Sequence, residues 1–168
     1  MTGLGEILWL GVLGAPILSA LAALAARRRA AERFTRVLSL VTLAAALLLL
    51  VGPSRGSAGT VLGWDATSDL FAALVAAVYA LSAWYSPVYL ASVRASVLSP
   101  SVYYALLSGF AAAMLGTLAV SNLALMWIGL EATTILSALL VMYDRRPSSV
   151  EAAWRYTLIA SGGLAVGL

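Results

Sequence analysis

One carboxylate in this sequence occupies a position where charged side chains are rare. Glu131 lies inside the apolar run NLALMWIGLEATTILSALLVMYDRR, which extends from Asn122 to Arg146. At about 1.5 Å per residue, Glu131 is about 12 Å from the start of this predicted helix and therefore near mid-bilayer. An ionised carboxylate there costs about 2.5 to 3.5 kcal/mol, so its surroundings must supply a partner, a proton or water. We interpret Glu131 as a site that binds and releases a proton; the alternative is a protonated packing residue that hydrogen-bonds two helices together.

Helical spacing places a small and partly polar stripe on the same face as Glu131. Its members are Ala124, Trp127, Ile128, Thr134, Ile135 and Ala138, with Ser137 beside Thr134. We expect this face to contact protein rather than lipid, and we include Thr134 in the predicted proton pathway.

A charged pair follows in the stretch SSVEAAWRY, where Glu151 and Arg155 are four residues apart on one helical face. Two interpretations remain open. The residues either form a plain ion pair or membrane-boundary anchor, or Arg155 supplies a permanent positive charge that shifts the protonation of groups deeper in the bundle. Both residues therefore belong to the predicted proton pathway together with Glu131 and Thr134.

The composition is that of an integral membrane protein. Of 168 residues, 62% are hydrophobic and 10% are charged, and the mean hydropathy is +0.99. The sequence contains no Cys and no His, which removes the usual ligands of zinc, haem and iron–sulfur clusters. We therefore predict no cofactor, no metal and no redox centre on this chain, so any redox chemistry must take place on a partner.

The elements that must position these residues are transmembrane helices. We predict an all-α, polytopic transmembrane helix bundle that forms a single membrane domain over residues 1–168. Its six predicted helices cover about 4–26, 34–51, 70–93, 101–120, 123–143 and 150–168. We expect Asp69 or Ser68 to cap the third helix, and we expect the last helix to be truncated because it stops mid-span.

Arginine clusters predict the orientation of the bundle. Most of them fall in loops on one side, and Arg55 alone falls on the other, which predicts an N-terminus outside and a multi-pass protein of the cell inner (plasma) membrane. The arginines expected on the cytoplasmic side are Arg27, Arg28, Arg29, Arg33, Arg36, Arg94, Arg145 and Arg146. Orientation of the helices is sufficient to explain the basic run RRRAAERFTR. The alternative is that the run docks anionic lipid or a partner subunit, with Glu32 partly neutralising the patch.

The stretch WIGLEATTILSALLVMYDRRPSSVEAAWRY resembles the fifth and sixth helices of antiporter-like proton-channel subunits. These occur in respiratory complex I, multisubunit Na⁺/H⁺ antiporters (Mrp) and membrane-bound hydrogenases, and the resemblance is strongest to the F component of hydrogenase-4. The phrases LMWIGLEATT and EAAWRY are its most specific part, while GWDATSDLFAALV and AWYSPVYL resemble the third span. The resemblance covers roughly residues 63–168.

The resemblance implies roles for two residues, and it implies that the chain contains only part of the family's fold. Glu131 corresponds to the family's essential fifth-helix glutamate. Arg155 lies where relatives commonly carry lysine, and since arginine almost never releases its proton, only an electrostatic role carries over. Relatives have about fourteen helices in which this carboxylate faces a lysine on a seventh helix, so the chain is expected to be an N-terminal portion or one piece of a split subunit.

These observations predict a proton-translocating membrane subunit of a multisubunit oxidoreductase, such as a membrane-bound hydrogenase or a complex I-like NADH/quinone oxidoreductase. The alternatives are a subunit of a multisubunit Na⁺/H⁺ antiporter without a redox partner, and a non-conducting structural subunit. Expected partners are other membrane subunits, the lipid bilayer, and protons or Na⁺, but not nucleic acid. An independent enzyme is disfavoured because no catalytic set is present, and the SGG of Ser161 to Gly163 is better explained by close helix packing.

Overall fold

The computed structural model describes residues 3–52, 56–58, 61–93, 96, 98–144 and 147–167. Six helices form the bundle, which confirms the predicted all-α class: α1 (Gly3–Ala25), α2 (Arg28–Leu49), α3 (Ala66–Ser92), α4 (Pro100–Ala119), α5 (Leu123–Val141) and α6 (Pro147–Val166). A short antiparallel hairpin of β1 (Gly56–Ala58) and β2 (Leu62–Trp64) interrupts the connection between α2 and α3, where the sequence indicated only a loop. The predictions for Arg55, Arg94, Arg145 and Arg146 fall outside the described residues.

Two helices begin earlier than hydropathy indicates. α2 begins at Arg28 rather than at residue 34, because Arg, Ala and Glu are good helix formers even where they are too polar for the membrane interior. α3 begins at Ala66, and its N-cap is Asp65, whose side chain accepts a hydrogen bond from the Ser68 amide at 2.8 Å. The expectation that Asp69 or Ser68 caps this helix is therefore wrong, and Asp69 lies inside the first turn.

Contacts between loops hold the two ends of the bundle together. At one end, Leu62 of the hairpin forms a backbone bridge with Val120 after α4, and the Ser121 amide donates to the Val61 carbonyl at 2.9 Å. At the other end, Ser96 and Asp144 form a backbone bridge between the α3–α4 and α5–α6 connections. Successive helices therefore run in opposite directions, as a multi-pass protein requires.

The core lies among the first four helices. α1 packs against α2 and α4, and α3 closes the other side of α2 and α4. α5 packs on α4, and α6 packs mainly on α5, so the α5–α6 hairpin lies at the edge of the bundle.

Four of the described helices, α1, α3, α4 and α5, are long and apolar enough to span a membrane. The arginine-rich start of α2 and the polar first half of α6 lower the hydropathy of those two helices. The chain is therefore a multi-pass membrane protein.

Candidate proton site between α5 and α6

Glu131 is positioned by a helix that is capped at its start and held close to α4. Asn122 caps α5 by accepting hydrogen bonds from the Ala124 and Leu125 amides at 3.0 and 3.2 Å. Further along, Gly129 faces Thr117 of α4 so closely that a β-carbon there would clash with the threonine hydroxyl. A glycine is therefore required for α5 to approach α4 at the depth of Glu131.

The Glu131 carboxylate makes one contact to α6. Ser161 Oγ donates a hydrogen bond to Glu131 Oε1 at 2.5 Å. The second oxygen, Oε2, is buried and has no hydrogen-bond partner within the described part of the chain, and the same holds for Nε1 of Trp127, one turn before it. Since a buried carboxylate oxygen without a partner is costly, the site calls for a proton, water or a donor from outside these residues.

Thr134 lies beside this site without a hydrogen bond to the carboxylate in the described part of the chain. Its side chain is 9% exposed, and its hydroxyl donates to the Leu130 carbonyl at 3.2 Å within the same helix. Ser137 donates to the Thr134 carbonyl at 2.9 Å and makes a long contact of 3.4 Å with the Tyr156 hydroxyl on α6. Thr134 therefore makes no hydrogen bond to Glu131 within the described residues, and its hydroxyl stays bonded to its own helix.

The stripe expected to face protein is divided in the structure. Thr134 and Ala138 are buried, whereas Ile128 and Ile135 are 55% and 47% exposed. α5 contacts α4 on one side and α6 on the other, so the remaining arc of the helix stays uncovered. The expectation that the entire stripe contacts protein therefore stays a prediction, because a partner chain is needed to cover Ile128 and Ile135.

Arg155 does not approach Glu131. Its guanidinium pairs with Glu151 at 2.5 Å on the outer side of α6, where the two side chains are 71% and 61% exposed. The opposite face of α6 contacts α5, as the burial of Ala153 indicates. The structure therefore favours the plain ion pair over a charge that acts on Glu131 directly.

The contact between Ser161 and Glu131 is not foreseen from the sequence, which indicates only close packing around Ser161. Two helices joined by a short connection run antiparallel, so residues at similar distances from the turn meet. Matching residues by their distance from the turn places the partner of Glu131 near Thr157, one helical turn before Ser161. Both hydroxyl residues lie on the same face of α6.

Another carboxylate within a helix, Asp69, is more deeply buried than Glu131. It is 1% exposed, and its Oδ1 accepts a hydrogen bond from the indole Nε1 of Trp9 on α1 at 3.0 Å. Its Oδ2 is buried without a hydrogen-bond partner among the described residues. In the sequence Asp69 resembles a cap because it lies so near the start of α3.

Buried hydroxyl groups join the first four helices near their common centre. Ser108 Oγ on α4 lies 2.8 Å from Ser19 Oγ on α1 and 2.9 Å from the Tyr79 hydroxyl on α3. Ser19 also donates to Thr35 Oγ1 on α2 at 3.2 Å. All four groups are buried and hydrogen-bonded to one another, which we call the hydroxyl cluster.

Comparison with known proteins gives one partial similarity. No family model matches the chain. A segment of 68 residues is 35% identical to a hydrogenase-4 component F homolog from Methylacidiphilum infernorum (isolate V4). This supports a relationship to antiporter-like membrane subunits. The segment makes up 40% of this chain and only 13% of the length of that relative.

Proposed function

We propose that this chain is a proton-translocating membrane subunit of a multisubunit oxidoreductase, of the kind formed by membrane-bound hydrogenases and complex I-like NADH/quinone oxidoreductases. Its partners are other membrane subunits, and its location is the cell inner membrane. The observation that carries the proposal is the half-buried Glu131 carboxylate, with one oxygen held by Ser161 and the other buried without a partner among the described residues. The partial similarity to a hydrogenase-4 component F homolog supports the same assignment.

The proposed role follows from the position of Glu131 along α5. It lies about 12 Å from the start of the helix and about 15 Å from its end, so water at neither membrane surface solvates its carboxylate. A proton taken up on Oε2 removes the charge, and the bond from Ser161 keeps the carboxyl group in place in either state. Redox steps on partner chains change the charge near Glu131, and in a medium of low dielectric such charges couple over several ångströms.

The test is Glu131→Gln in the assembled complex, reconstituted in vesicles. Glutamine keeps the shape of the side chain and can accept the Ser161 hydrogen bond through its carbonyl oxygen, but it cannot bind and release a proton. We expect proton uptake during turnover to fall to the level of vesicles without the complex, measured with a pH-sensitive dye inside the vesicle.

The matched control is Glu32→Gln, which removes a carboxylate that pairs with Arg36 at 3.0 Å near the start of α2. This variant should pump protons at the wild-type rate. Unchanged pumping by Glu131→Gln would refute the proposal. A wild-type transport rate that required a Na⁺ gradient and no electron donor would instead identify a Na⁺/H⁺ antiporter subunit.

A further inference from the structure

An open groove of about 660 Å³ lies beside the turn between α1 and α2. Its lining is Arg27, Arg29, Ala30, Arg33, Phe34 and Val37. The three arginines are exposed, and the described lining contains no acidic side chain. The groove therefore joins a positively charged wall to an apolar one.

The carboxylate of α2, Glu32, does not line this groove. Glu32 pairs with Arg36 at 3.0 Å, and the Arg36 guanidinium lies 5.5 Å from the ring centre of Trp84 on α3. The Glu32–Arg36 pair therefore belongs to the contact between α2 and α3. It leaves the arginines of the groove without an acidic side chain among the described lining residues, so an anion is the complementary ligand.

The order of residues along α2 matches the order of polarity in a lipid leaflet. From Phe34 to Leu49 the only charged residue is Arg36, which is held against α3, and this part of the helix is about 24 Å long, somewhat less than the hydrocarbon core of a bilayer. This places Arg29 and Arg33 at the level of the phosphates. Phe34 and Val37, which are 50% and 60% exposed, lie at the edge of the hydrocarbon core nearest these arginines.

We propose that this groove binds an anionic phospholipid, with its phosphate against Arg29 and Arg33 and the start of an acyl chain against Phe34 and Val37. Guanidinium groups bind phosphate through paired hydrogen bonds, and the positive end of the α2 dipole adds to the attraction. A soluble partner protein is less well matched, because the apolar wall continues into the lipid-facing surface of α2.

The test compares two single substitutions in the purified protein by native mass spectrometry from mixed micelles. Arg33→Gln removes a charge from the groove, and Arg28→Gln removes a charge from an exposed residue of the same helix that does not line it. We expect Arg33→Gln to weaken binding of phosphatidylglycerol about fivefold or more, and Arg28→Gln to weaken it clearly less. Phosphatidylcholine binding should be the same in all three proteins.

Other results would overturn the proposal. Equal losses in the two variants would indicate diffuse electrostatic attraction without a defined site. Wild-type binding by Arg33→Gln would mean that the groove takes no lipid phosphate, as would a cytoplasmic protein seated on these arginines in the assembled complex. Since both arginines are exposed, the melting temperature in phosphatidylcholine should not differ between the variants, and this measurement separates lost binding from lost folding.

Discussion

Two helical carboxylates each have a buried oxygen without a hydrogen-bond partner among the described residues, and these two, Glu131 and Asp69, differ in their surroundings. Glu131 is half-buried at the edge of the bundle and contacts a serine of the neighbouring helix, whereas Asp69 is buried in the core and contacts an indole. An edge position leaves room for a group from another polypeptide or for water. The surroundings of Asp69 favour a structural role for that residue, because its hydrogen bond from Trp9 ties the start of α3 to α1.

The contact between Trp9 and Asp69 can be tested by unfolding. Trp9→Phe leaves Asp69 without its indole donor, and we expect a loss of about 1 to 3 kcal/mol in the free energy of unfolding, because a buried acceptor then has no partner. The measurement is denaturant unfolding in detergent micelles followed by circular dichroism.

Two further variants complete this experiment. Adding Asp69→Leu to Trp9→Phe should recover much of the loss, since both polar partners are then removed together. Trp154→Phe, at a position that is 63% exposed, is the control and should change stability little. A loss of equal size in Trp154→Phe would contradict the assignment.

At the scale of helices, the contact between α4 and α5 depends on one missing side chain. Gly129→Ala would place a methyl group against the Thr117 hydroxyl and push α5 away from α4. We expect a loss of about 1 to 3 kcal/mol in the free energy of unfolding, as for other overpacked interiors. The same unfolding assay measures it.

The second substitution and the control come from α4. Thr117→Ala removes the clashing hydroxyl, so the double variant should recover most of the stability lost in Gly129→Ala. Gly116→Ala meets no atom within 4 Å and should be neutral or slightly stabilising. Failure of Thr117→Ala to restore stability would show that another contact fixes the distance between α4 and α5.

The helices are more predictable from the sequence than their contacts. Hydropathy locates all six because membrane spans need long apolar runs, and it misses the start of α2 because charged residues can continue a helix beyond the membrane. The contact from Ser161 to Glu131 depends on the rotation and register of α5 against α6, which helical periodicity alone does not fix. The same reason explains why Arg155 is a candidate neighbour of the proton site in the sequence and lies on the outer face in the structure.

For the whole molecule, the arrangement predicts a gradient of stability from the core to the α5–α6 hairpin. α6 packs mainly on α5, and Ala153 is its one buried residue among those described. We expect amides of α6 to exchange with deuterium before those of α1 and α4, because fewer contacts oppose local opening. Hydrogen–deuterium exchange of the protein in lipid nanodiscs, followed by mass spectrometry, gives the rates.

The assembled complex provides the comparison. If a partner chain covers this hairpin, α6 should become protected on assembly while α1 and α4 change little. Equal protection of α6 and α1 in the isolated protein would contradict the gradient.

The hydroxyl cluster has a consequence for biogenesis. Its members come one from each of the first four helices in chain order: Ser19, Thr35, Tyr79 and Ser108. Ser108 bonds both Ser19 and Tyr79 and is the last of the four to leave the ribosome. Until α4 inserts, the earlier helices therefore expose incompletely satisfied hydroxyls to lipid, a feature that membrane chaperones and proteases can recognise in an unfinished chain.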